Sequence, residues 1–190
     1  MTVTGQGHNH PSRYSGYMTS AGLVLLDTCG DPADLVVAFL NTLDVDEGTD
    51  ALASTQGWAG WLRQQGLRGS FGDLGAGDLE QARQLRSDLR ARAEGRACAE
   101  VRSVGIQVAL TADGAVELSA SSPVGLVAAA AAKVAIERRL DRVKICPADD
   151  CRWAFYDTSR NRSRQWCSME VCGNRAKARS HRARTTSSSA

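Results

Sequence analysis

The sequence predicts an α+β protein: a mostly helical N-terminal domain with one β-hairpin, followed by a small C-terminal module built on four cysteines. Three observations carry this reading. Apolar residues recur at helical spacing in several segments between residues 31 and 140. One stretch, "VGIQVALTADGAVELSA", alternates with a period of two instead. The last four cysteines form two pairs, Cys146 with Cys151 and Cys167 with Cys172, each pair enclosing four residues and the pairs separated by fifteen. At 190 residues and 43% hydrophobic content, the chain suits one main core and a small appendage.

Residues 1 to 20 are polar, rich in Gly and Ser and without periodicity, so a flexible leader is expected, with His8 and His10 given no role. Leu23 to Leu26 is a short apolar strand candidate. In "DPADLVVAFLNTLD", Asp31 is placed to cap a helix and Pro32 to open it, with Leu35, Val36, Phe39, Leu40 and Leu43 on one face. Ser54 caps a second helix through "TQGWAGWLRQQ", stopped by Gly66, whose Trp58, Trp61 and Leu62 read as core rather than as a ligand cage. The glycine-rich "GLRGSFGDLGAGD" lacks the Gly-Lys-Ser/Thr ending of a phosphate loop and reads as a connection. Asp78 is expected to cap a long helix that turns Leu79, Ala82, Leu85, Leu89 and Ala93 inward and ends at Gly95.

The alternating stretch follows. Val104, Ile106, Val108 and Leu110 run into an Asp113-Gly114 turn, and Val116, Leu118 and Ala120 return, which predicts a hairpin with one buried face. Ser122-Pro123 opens a final helix whose alanine run admits close packing. The body carries no Gly-x-Ser-x-Gly or His-Glu-x-x-His pattern and no histidine between residues 11 and 180, so no enzyme is expected. "AGLVLLD" at 21 to 27 is too short to span a bilayer and follows no basic segment, and Asp27 and Thr28 spoil a lipoprotein site. A cytoplasmic protein without a membrane partner is expected.

Charge divides the chain. Residues 142 to 190 hold 11 Lys and Arg against 4 Asp and Glu, whereas residues 1 to 141 hold 12 against 17. A clustered basic segment attracts a polyanion, although a solvated charged face is the plain alternative. Two cysteine pairs at this separation are how two turns gather four thiolates around a tetrahedral ion. Four thiolates on Zn²⁺ leave a net double negative charge, which Lys144, Arg152, Arg164, Arg175 and Lys177 stand close enough in sequence to offset. Two disulfides and a thiol redox switch are the competing accounts, the first disfavoured in a reducing compartment. Structural zinc contributes an apparent ~10–16 kcal/mol to folding a small module, so Trp153, Phe155 and Trp166 suffice as its core.

"ICPADDCRWAFYD" reads as a tight turn between short strands, and Ser168 as the cap of a helix holding Cys172 in its first turn. This is a treble-clef-like order. On that helix Arg175, Arg179 and Arg182 share a face, with Lys177 beside them. Before it, "TSRNRSRQW" contributes Arg160, Arg162 and Arg164, with Asn161 as a short polar donor. A basic helix beside a basic loop suits backbone phosphates.

The segment from Cys146 to Arg184 resembles the CGNR zinc finger, through the tetrad Cys172, Gly173, Asn174 and Arg175, the run Asp157 to Asn161 and the run Trp166 to Met169. The body is similar to the ABATE domain in "AFLNTLD" (38 to 44) and "STQGWAGWLRQQGL" (54 to 67). The resemblance implies a stress-induced bacterial transcription regulator with a DNA-binding finger and one structural zinc on Cys146, Cys151, Cys167 and Cys172. It adds Asn174 to the candidate nucleic-acid contacts. The expected organisation is a leader (1–20), an ABATE-like domain (21–143), the finger (144–184) and a disordered tail (185–190). DNA is the expected partner, with RNA or a protein as the alternative, a redox-labile zinc as a further variant, and a body that senses a small molecule or forms a homodimer.

Overall fold

A computed structural model describes residues 24–25, 30–67, 73–97, 100 and 102–187. The leader, Cys29, Cys98 and residues 68–72 of the glycine-rich connection fall outside these residues. Helix α1 (Pro32–Leu40) begins as its sequence dictates: the Asp31 carboxylate accepts from Ala33 N at 2.9 Å and Pro32 occupies the first turn. Leu35, Val36, Phe39 and Leu40 are fully buried. Helix α2 (Thr55–Gln64) is capped by Ser54 Oγ, which accepts from Gly57 N at 3.1 Å. Its Trp58 and Trp61 rings stack at 5.1 Å, and Phe39 meets both edge-on at 5.8 and 5.9 Å. The tryptophan pair is core.

The α2 start also sets a steric limit. A Cβ on Gly57 would lie 2.5 Å from the Ala51 carbonyl oxygen, a backbone atom that cannot swing aside. Gly57→Ala is expected to cost about 1–3 kcal/mol in denaturant unfolding, the cost of overpacking. Gly60→Ala, whose Cβ meets nothing closer than the tip of Arg63 at 3.5 Å, is expected to gain about 0.5–1 kcal/mol from helix propensity. Equal effects at the two sites would contradict this packing.

Helix α3 (Ala76–Ala93) corrects one sequence expectation. Gly75, rather than Asp78, is the N-cap, and the Asp78 carboxylate reaches back to accept from Gly75 N at 2.9 Å. A carboxylate can satisfy the same orphan donor from the third helical position as from the cap. The helix ends at Gly95 (φ 74°) as expected, with Arg96 N donating to Ala91 O at 2.8 Å. Leu79 and Ala82 are buried, Leu85, Leu89 and Ala93 are half-buried, and Arg86 and Arg90 are buried beside them.

Strands β1 (Val24–Leu25), β4 (Gln107–Leu110) and β5 (Val116–Ala120) form an antiparallel sheet in the order β1-β5-β4. Strands β2 (Leu43–Asp44) and β3 (Thr49–Asp50) pair separately. The β4–β5 hairpin turns at Gly114 (φ 86°), with Val108 opposite Leu118 and Leu110 opposite Val116. Its apolar face is covered only at the base, at half-buried Leu118 and buried Ala120; Val108, Leu110 and Val116 are about two-thirds exposed or more. The expected single buried face therefore stops where the underlying helices end. Helix α4 (Pro123–Ile136), capped by Ser122, packs its Ala129, Ala130 and Ala131 into the core against α1.

The last hairpin, β6 (Val143–Ile145) with β7 (Ala154–Tyr156), joins this core rather than standing apart: Val143, Ile145 and Ala154 belong to the same buried cluster as α1 and α4. Asn41 imitates a neighbouring strand, donating to Ala154 O at 2.9 Å and accepting from Ala154 N at 2.7 Å. Helix α5 (Asn174–Ser187) is the last described element and includes the first three residues of the expected tail (185–190), since Thr185, Thr186 and Ser187 include no Gly or Pro to break it. No helix among the described residues is long and apolar enough to cross a membrane.

Candidate metal centre and its basic surroundings

The first cysteine pair sits in the β6–β7 turn. Cys146 N donates to Trp153 O at 2.8 Å, and Ala148 O accepts from both Cys151 N and Arg152 N at 3.0 Å. The chain can close this tightly because Arg152 adopts φ 56°, the left-handed region that favours glycine. Arg152 is held there from the body: its carbonyl accepts from Arg90 Nη2 at 2.7 Å, and its guanidinium pairs with Glu94. The second pair straddles Ser168, whose Oγ accepts from Val171 N at 3.2 Å. Residues Met169–Gly173 then form a single π-helical turn, closed by Gly173 N to Ser168 O at 3.1 Å, and this wider turn carries Cys172.

The four Sγ atoms lie within 4.8 Å of one another. Cys151 and Cys167 are 3.5 Å apart, and Cys167 and Cys172 are 3.6 Å apart. Thiolates ~2.3 Å from a tetrahedral zinc stand ~3.8 Å from each other, so the set fits one zinc ion. Burial and the neighbouring sulfurs push the Cys167 thiol up, and burial pushes Cys151 up to about 11. Burial also acts to raise Cys172, but the hydrogen bond from Arg175 and those from the adjacent cysteines outweigh it and hold that thiol below its ordinary value. Around the sulfurs, Ala148 and Phe155 are buried and Trp153 and Trp166 pack half-buried, which is the miniature core the sequence implies.

The predicted contact residues are not equivalent. Arg175 turns inward, its Nη2 3.4 Å from Cys172 Sγ and its Nη1 3.1 Å from Asp150, with Arg179 at 3.8 Å from the same carboxylate. Arg164 donates to the carbonyls of Trp166 and Cys167 and lies 4.9 Å over the Phe155 ring. Arg162 pairs with Asp141, and Asn174 Nδ2 donates to Glu170 O at 3.0 Å. Arg160, Asn161, Lys177 and Arg182 present exposed side chains.

One organiser escaped the sequence reading. Asp157 is fully buried; its carboxylate accepts from Lys144 Nζ at 2.6 Å, Ser159 N at 2.9 Å and Arg164 N at 3.0 Å. Lys144 Nζ continues to the carbonyls of Arg162 and Arg164 at 2.6 and 3.0 Å. Arg142 donates to the Asp157 and Ser159 carbonyls at 2.8 and 2.9 Å. The basic loop is thus wound around one acid. An Asp followed two residues later by Ser is the local signal for such a turn, and it is weak on its own.

A closed four-thiolate site on a hairpin turn and a helix start, docked on a mixed helix and small-sheet body, defines an α+β zinc-finger protein. Residues 142–185 match the CGNR zinc finger model, and residues 33–144 match the ABATE model, whose description reads "Putative stress-induced transcription regulator". The ABATE match spans more than half of the chain, and the chain belongs to that family; its finger holds one structural zinc. No curated protein matches the chain.

Proposed function

We propose that this chain is a bacterial, cytoplasmic transcription regulator that binds DNA through its finger and performs no catalysis. The observation that carries the reading is α5. It bears Arg175, Lys177, Arg179, Arg182 and Arg184 and no acidic residue, and it is exposed at Lys177, Arg179, Arg182 and Arg184. A helix with no apolar face and with cations on neighbouring turns of one face, as at Arg179 and Arg182, is stabilised by an external polyanion. The treble-clef-like order of hairpin turn, basic loop and helix supports placing α5 and Arg160 against phosphates. Four cysteine ligands leave no open position on the metal, which supports a structural rather than a catalytic role.

The test is a salt titration of binding to random-sequence duplex DNA. Binding that depends on zinc, with a log–log slope of about −0.9 per neutralised phosphate, is expected. Lys177→Ala should flatten that slope by about one phosphate while zinc content stays the same. A slope near zero sinks the DNA assignment, and preference for single-stranded RNA moves the finger to the RNA-binding class.

A further inference from the structure

We infer that the β4 edge of the body sheet pairs with β4 of a second copy, forming a two-fold homodimer. Among the described residues β4 is the outer strand in the order β1-β5-β4, so one side of its backbone faces away from β5. Thr111 N donates to Ala115 O at 2.9 Å, which makes Thr111 and Ala115 a hydrogen-bonded pair. Alternation along the antiparallel register then makes Ala109–Glu117 and Gln107–Ser119 the next such pairs. The N–H and C=O groups of Val108 and Leu110 therefore point outward.

Those same two residues carry exposed apolar side chains, Val108 at 67% and Leu110 at 79%, continuous with Val116 at 66%. Natural edges are ordinarily blocked by charge, proline or a bulge, and "QVAL" has none of these. An uncharged strand offers nothing to an acidic or basic peptide. It is, however, complementary to itself. A two-fold axis at Ala109 sets Val108 opposite Leu110 of the other chain twice over, uses the outward backbone groups of both, and extends the apolar face across the junction without meeting a like charge. Three side chains exposed to this extent cover roughly a few hundred Å² per copy, the size of an ordinary surface patch. That is short of the ~800 Å² per partner of a standard interface, so a dimer of roughly micromolar Kd is expected. The inference goes beyond the DNA reading and does not rest on it.

The experiment is analytical ultracentrifugation of the full zinc-loaded chain without nucleic acid, across roughly 1–100 µM. A concentration-dependent dimer is expected. Val108→Lys and Leu110→Glu chains should each be monomeric while retaining zinc and the wild-type melting temperature, since both side chains are already exposed. Mixed, they should recover a heterodimer, because the axis places Lys at 108 opposite Glu at 110. Ile136→Lys, at an apolar residue 77% exposed at the far end of α4, should leave the dimer intact. A wild-type monomer at the highest concentration overturns the inference. So does a dimer that either single variant leaves undisturbed. If the monomer also shows slow amide exchange at Val108 and Leu110, the edge is covered by another segment of the same chain.

Discussion

Replacing Cys151 with serine, or removing zinc with a chelator, is expected to unfold the finger and to lower the melting temperature of the body with it. The first part follows from scale: a cluster of Ala148, Phe155 and half-buried tryptophans is too small to order four thiols alone, and zinc contributes an apparent ~10–16 kcal/mol. The second part follows from where the finger is rooted. Val143, Ile145 and Ala154 lie in the body core, while Arg90 and Glu94 hold Arg152 and Asn41 holds Ala154, just past Cys151. Each buried aliphatic residue withdrawn from such a core costs about 1.5–3 kcal/mol, and one kcal/mol shifts a domain of this size by about 2–4 °C. A drop of about 6 °C or more in the main transition by far-UV circular dichroism is therefore expected from Val143 and Ile145 alone. A body that melts unchanged without zinc would mean that the two parts fold independently.

Asp157→Ala is expected to weaken DNA binding even though it makes the finger more positive. A purely electrostatic surface would bind more tightly after losing an acid. Here the acid organises the cations, because its carboxylate fixes the Ser159 and Arg164 amides and holds Lys144 against the Arg162 and Arg164 carbonyls. Breaking a buried pair from one side costs about 3 kcal/mol, measurable as a loss of stability in the zinc-loaded protein. Burial acts to raise the Asp157 pKa, but Lys144 and the Ser159 hydrogen bonds hold it far below the usual carboxylate range. A depressed folded-state pKa means that the contribution is fully present above about pH 3.9 and is lost as pH falls below it. Binding to duplex DNA that is unchanged or tightened in Asp157→Ala would show that the loop needs no such organiser.

The elements that short-range rules control were legible in advance. Asp31, Ser54, Ser122 and Ser168 cap the helical turns expected of them, and Gly95 and Gly114 take the positive φ their turns require. The cysteine spacing identifies the metal set because both pairs lie in local turns, where separation along the chain translates into separation in space. Asp78 failed as a cap by a small margin, since a carboxylate can reach the same N–H from inside the helix. Arg86 and Arg90 drew no expectation from the sequence, for a different reason. A sequence pattern places arginine on a solvated face, and only the assembled fold supplies Asp50 and Thr42 for Arg86, and the Leu40 and Arg152 carbonyls for Arg90.

By itself the sequence determined the long helices, the β4–β5 and β6–β7 hairpins, the four metal ligands and the basic character of the C-terminal segment, because each depends on residues within one or two turns of each other, whereas it read Leu43 as part of the first helix face and missed the β2–β3 pair. The tertiary structure alone decided which cations remain at the surface, where the apolar face of β4–β5 runs out past the core, and that the finger shares the body's interior. Those outcomes depend on partners far apart in sequence, such as Asn41 and Ala154 or Arg90 and Arg152, and only packing brings them within hydrogen-bonding distance.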